Sequence, residues 1–153
     1  MPAPDPFAAW RNKPLDTAND LTVETEVGAV RVRRMTADVG SATTWSLAIQ
    51  SAATCEVRRD GWVGVVNRWL RLTRTHPTIS EANFRGDPKL AVAVATSEVA
   101  AVLSRWRRYT LAVTPSELRL AVPTSNVDAT EARAGVAVVS ACALAVRSGA
   151  SLV

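Results

Sequence analysis

The residues of this 153-residue chain with the most chemical potential are a single histidine, His76, two cysteines, Cys55 and Cys142, and 16 arginines set against 2 lysines. A histidine can activate a serine or cysteine that folding brings close, because such constellations need not be local in sequence. His76 stands next to Pro77, however, and no G-x-S-x-G elbow accompanies it, so an ordinary loop residue is the better reading. No catalytic residue is assigned, and enzymatic activity is not expected. The cysteines lack C-x-x-C spacing and suit buried thiols, since free cysteine packs as a small apolar side chain. One histidine without a cysteine–histidine cluster makes no zinc site, and Asp60, Glu81 and Asp87 have no diagnostic spacing for magnesium. Gly28, Gly61 and Gly64 do not form a phosphate cradle, so neither metal nor cofactor is expected.

Arginine is the remaining chemistry. Arg58, Arg59, Arg68, Arg71 and Arg74 fall close together, and Arg105, Arg107 and Arg108 follow later. Gathered on one surface, they would neutralise several phosphates of a nucleic acid or an anionic membrane. A formal net charge of +4 is too modest to establish such a ligand alone. The leading expectation is instead a non-catalytic protein-interaction or assembly module. Its partner would be another protein or a second copy in a homodimer, engaged through Phe7 and Trp10 and through free sheet edges. Nucleic acid or an anionic surface is the alternative, and an enzyme with an unrecognised site the second alternative.

These residues need elements to hold them. Residues 1–20 carry Pro2, Pro4, Pro6 and Pro14 and read as an irregular arm. Phe7 and Trp10 would dock that arm onto the domain or onto another subunit. From residue 21 the pattern turns to alternation: Leu21, Val23, Thr25 and Val27, then Val30 and Val32 beyond Gly28, read as a hairpin. Glu24 and Glu26 would face Arg31 and Arg33 as cross-strand charge pairs. Thr43, Trp45, Leu47 and Ile49 mark another strand, and Cys55 with Val57 a short one. Together they predict a meander of three or four antiparallel strands.

After Asp60 the period changes. Trp62, Val65, Val66 and Trp69 share one side of a helix, which assigns both tryptophans to the core. Residues 73–80 read as a loop, and residues 83–86 as a short strand or extended approach. Asp87-Pro88 then starts a short helix, a side-chain acceptor followed by a fixed φ. Thr96 caps a second helix striped by Val99, Val102, Leu103 and Trp106, with Arg105, Arg107 and Arg108 at the dipole's negative end. Tyr109, Leu111 and Val113 alternate, as do Leu118, Leu120 and Val122 across a Pro115 turn. Asp128 and Glu131 resemble a capping box opening a helix to about Val146.

The expected fold is therefore α+β: an antiparallel N-terminal meander, central helices, and a C-terminal hairpin and helix. One domain over residues 21–148 is expected, with residues 149–153 frayed. Hydrophobic residues at 48% and charged residues at 21% suit a soluble folded core. No apolar run reaches the roughly 20 residues of a bilayer span, and the start lacks the pattern of a signal peptide. No transmembrane segment and a cytoplasmic location are the expectations.

Residues 61–122 also resemble a widespread bacterial family of uncharacterised proteins, some of whose members attach a similar soluble module to membrane segments. The resemblance runs through Arg58-Arg59-Asp60-Gly61-Trp62, Asn83-Phe84-Arg85-Gly86-Asp87-Pro88, Thr96-Ser97-Glu98-Val99, and the strand pair Leu111-Ala112-Val113 with Leu118-Arg119-Leu120. It implies this order of elements and supplies no catalytic residues.

Overall fold

Alternating side chains build most of this chain into one sheet. The structure, a computed structural model, describes residues 5–7, 10, 19–37, 40–60, 69–70, 73–79, 81–124 and 126–151. The strands are β1 (Asn19–Thr25), β2 (Gly28–Ala37), β3 (Gly40–Ala48), β4 (Cys55–Arg59), β5 (Arg74–Thr75), β6 (Asn83–Gly86), β7 (Tyr109–Val113) and β8 (Glu117–Val122). The helices are α1 (Pro88–Val94), α2 (Ser97–Leu103) and α3 (Ala129–Ser151). All eight strands pair antiparallel in the order β1-β2-β3-β8-β7-β4-β6-β5, which makes the fold α+β.

The expected meander holds for β1, β2 and β3 and then stops. β4 does not lie beside β3, because the β7–β8 hairpin inserts between them. β3 runs on along β8 past its formal end, with Ile49 N donating to Ser116 O (3.1 Å) and Ser51 N to Pro115 O (3.1 Å). Cys55 then pairs with Val113 on one side and Gly86 on the other. At Gly86 φ is +93°, and a Cβ there would meet Thr54 O and Cys55 Cα at 2.5 and 2.9 Å, so only glycine lets β6 approach so closely.

One face of the sheet forms the core. Val30, Val32, Trp45, Leu47, Val57, Leu111, Leu118 and Leu120 point inward and are buried. α3 lies on them through Ala132, Val136, Val139, Cys142, Ala143 and Val146, while α1 and α2 pack beside it with Ala91, Val94, Val99 and Leu103. Residues 129–148 have the length and mean hydropathy (1.4) of a bilayer-crossing helix, so the expectation that no segment would qualify is corrected on that measure. In this fold that helix packs on the sheet, and 44% of it is buried. It also runs to Ser151, beyond the end anticipated near Val146.

The caps follow the sequence. Asp87 Oδ1 accepts from Lys89 N and Leu90 N (2.8 and 3.2 Å), Thr96 Oγ1 from Val99 N (3.3 Å), and Asp128 Oδ1 from Glu131 N (2.8 Å). The Glu131 carboxylate, expected to close a capping box, accepts instead from Trp106 Nε1 (3.3 Å). Trp106 lies beyond the end of α2 rather than on its stripe, yet is buried against Trp45, centroids 5.6 Å apart.

Of the dockings open to the N-terminal arm, the structure has the intramolecular one. Phe7 and Trp10 are buried and meet edge to face. Trp10 Nε1 and an Arg34 terminal nitrogen donate to the same acceptor, Val127 O (2.9 and 2.8 Å), and the guanidinium carbon lies 4.1 Å from the Trp10 ring centroid. Asp5 is paired with Arg133.

Candidate interaction face of the sheet

With α1, α2 and α3 on one side, the opposite face of the sheet is left open among the described residues. Its residues are the polar partners of the buried alternation: Arg31 and Arg33 between Val30, Val32 and Arg34, and Arg119 between Leu118 and Leu120. Register aligns them in rows. One row reads Thr22, Arg31, Ser46, Arg119, Ala112, Glu56, Arg85 from β1 to β6. The next reads Asp20, Arg33, Thr44, Ala121, Thr110, Arg58. The middle of the face is thus floored by small side chains, with arginines rising on either side.

Two hollows result. One of about 270 Å³ is lined by Arg31, Arg33, Met35, Ala42, Thr44, Ser46, Glu117 and Arg119. The other, of about 320 Å³, is lined by Ser41, Ala42, Arg58, Asp60, Arg108, Tyr109, Thr110, Ala121, Val122 and Pro123, so the two adjoin at Ala42. Between them they hold five arginines and two carboxylates. A larger hollow of about 520 Å³ lies between the end of β3 and α3, but Arg147 is its one ionisable lining group.

The face is not uniformly free. Arg31 binds Asp20 (2.6 Å) and holds its carboxyl below the ordinary value, chiefly through that hydrogen bond. Glu56 is shared by Arg85 (2.9 Å) and Arg58 (3.4 Å), and Arg58 also reaches Asp60 (3.2 Å). Such exposed pairs contribute little stability, typically below about 1 kcal/mol each. The side chains of Arg33 and Arg119 are exposed and make no hydrogen bond or ion pair among the described residues. They are the charges most available to a partner.

The eight arginines singled out from sequence do not form one patch. Arg58 and Arg108 line the open face. Arg59 turns away, donating to Trp106 O (3.2 Å) and pairing with Glu81. Arg74, on β5, and Arg105 and Arg107, after α2, are exposed outside the two hollows. Arg68 and Arg71 lie outside the described residues, as do Trp62, Val65 and Val66 of the expected stripe. Trp69 is described and is 81% exposed, which overturns its assignment to the core. Phe7 and Trp10 are spent on the chain's own core. Arg31, Arg33 and Arg119, central to the face, were legible only as the out-facing phase of period-two strands.

Among the described residues, no catalytic constellation accompanies this face. His76 lies in a loop and is buried there; its Nδ1 accepts from Thr78 N (3.1 Å) and Ile79 N (3.0 Å), leaving Nε2–H to donate to Ala91 O (2.9 Å). Both nitrogens are committed to backbone, so the ring ties the β5–β6 connection to α1. His76→Ala is expected to lose about 3 kcal/mol of stability, measured by urea unfolding, because three backbone groups lose their partner. Burial pushes the Cys55 thiol up to about 12 and raises Cys142 as well, so neither is a ready nucleophile. Among the described residues no three metal-ligating side chains cluster. The fold and face together define an α+β chain with a half-covered antiparallel sheet. No protein family, curated protein or solved structure matches the chain.

Proposed function

We propose that the chain is a non-catalytic protein-interaction module whose open sheet face receives an acidic surface of another protein. The observation that carries this reading is the pair of adjoining hollows, with five arginines against two carboxylates over a floor of alanine, serine and threonine. A floor of small side chains admits close approach, and unpaired arginines supply the directional, bidentate contacts that carboxylates match. Meeting the same face of a second copy would set arginine against arginine, which disfavours a homodimer here. Nucleic acid is the weaker alternative, because the one aromatic residue lining the two hollows, Tyr109, is buried and offers no exposed ring on which bases could stack.

Titration with a glutamate-rich peptide, a DNA oligonucleotide of equal charge and vesicles containing phosphatidylserine separates the readings. Amide shifts on the peptide should concentrate on β2, β3 and β8, and Arg33→Glu with Arg119→Glu should weaken binding at least tenfold. Tighter binding to DNA or to the vesicles than to the peptide would overturn the protein reading. Peptide binding unaffected by both reversals would remove the face from it.

A further inference from the structure

We infer that β1 is a docking edge that accepts, by strand addition, an extended segment of a partner protein in which apolar and basic residues alternate. This edge borders the open face: Asp20 is already paired with Arg31 there, and Glu24 adds a negative charge beyond it. Among the described residues the sheet ends at β5 on one side and at β1 on the other. β5 is only two residues long, one of the usual ways of blunting an edge. β1 is seven residues long and pairs with β2 without a break from Asn19↔Arg34 to Thr25↔Gly28. Its sequence, NDLTVET, contains no proline and no lysine, and its register contains no bulge. Among the described residues no strand pairs with its outer side. A long, regular edge without proline, lysine or bulge exposes a row of backbone donors and acceptors to a chain that can match both it and its acidic side chains.

Side chains specify which chain matches. Leu21 and Val23 are half-buried at the rim of the core, so an adjacent strand would extend the apolar layer on that side. Asp20, Thr22 and Glu24 are exposed on the other side, and Glu24 makes no ion pair among the described residues. The inner neighbour already shows the complementary pattern: Val32 and Val30 stand opposite Leu21 and Val23, Arg33 and Arg31 opposite Asp20 and Thr22. A second copy of β1 is a poor occupant, because aligning Leu21 with Val23 antiparallel sets Asp20 against Glu24 at both ends, and like charges directly opposite destabilise. The occupant is therefore a foreign segment carrying valine-like and arginine-like residues in alternation.

The probe is a synthetic eight-residue peptide of alternating valine and arginine, tested with the full chain against the same peptide N-methylated at alternate residues. N-methylation keeps charge and side chains but blocks main-chain pairing, and it leaves the folding of the chain untouched. The unmodified peptide should slow amide exchange within β1 at least tenfold, and N-methylation should weaken binding at least tenfold. Asp20→Lys with Glu24→Lys should weaken it similarly. Equal affinity for both peptides, or protection elsewhere than β1, would overturn the inference. So would protection of β1 that grows with chain concentration in the absence of peptide, which would assign the edge to a second copy.

Discussion

Gly135→Ala is expected to destabilise the chain by about 2 kcal/mol, although it places a better helix former inside a 23-residue helix. Propensity alone argues for a gain of about 1 kcal/mol, since glycine costs that much relative to alanine in a helix interior. Packing decides against it. A Cβ on Gly135 would meet Cζ2 of Trp45 at 2.6 Å, and Cε2 and Nε1 closer still. The indole cannot step aside. It is fully buried, donates to Ala132 O (2.9 Å) one turn away on the same helix, and is backed by Trp106. Overpacking of a rigid core costs about 3 kcal/mol at the upper end of its usual range, which outweighs the propensity gain. Gly135→Val should leave too little stability to fold. The decisive comparison is a double-mutant cycle read by urea unfolding. In a Trp45→Leu background Gly135→Ala should become stabilising, by about 1 kcal/mol, because the obstruction has gone and propensity remains. A stabilising Gly135→Ala in the unmodified chain would contradict the packing of α3 on β3.

Stability is also expected to fall steeply in alkali, from about pH 9 upward. Burial raises the thiol of Cys55 from its ordinary 9.0 to about 12, with Asp87 and Glu56 adding to it, and raises Cys142, fully enclosed beside it, in the same direction. Burial likewise takes Tyr109, the chain's one tyrosine, from 10.0 to about 12, against a smaller opposing pull from Arg59. All three groups hold their protons in the folded chain at a pH where the unfolded chain has released them. Their contribution is therefore complete below pH 9 and is lost as pH rises toward 12, with a slope approaching about 1.4 kcal/mol per pH unit for each group. Against a typical stability of about 5–15 kcal/mol, that is enough to unfold the chain before pH 12. Urea midpoints at pH 8, 10 and 11 measure the slope. Cys142→Ala should lower stability at pH 8 through the lost packing yet make the alkaline decline shallower. An unchanged slope in that variant would show that the thiol is accessible in the folded state.

Local patterning carried a good deal of this architecture. Alternation in residues 21–33 and 109–122 located two hairpins, because a strand with one wet face must present polar residues at every second position. Asp87-Pro88, Thr96 and Asp128 marked three helix starts through the same chemistry they perform in the fold, acceptance of otherwise orphan backbone N–H groups. Trp69 shows where such reasoning fails. Its helical spacing with Trp62, Val65 and Val66 pointed to a buried stripe, but periodicity establishes that residues share a side, not that a neighbour covers it.

The sequence by itself determined the α+β class, most caps, which residues of each strand lie on the same side, and the order of the described elements except β5, which falls where residues 73–80 read as a loop. Tertiary structure decided which strands meet and which side is covered. Inserting β8 and β7 between β3 and β4 brings Arg119 within the same hollow as Arg31 and Arg33, although some 86 positions separate Arg33 from Arg119 in the chain. Packing α3 onto one face leaves those arginines on the other, and docking of the arm takes Phe7 and Trp10 out of the set of available surface groups. The physical reason is that caps and alternation depend on neighbours a few residues away, whereas strand order and coverage depend on burying the whole apolar surface at once, a condition that no single segment contains.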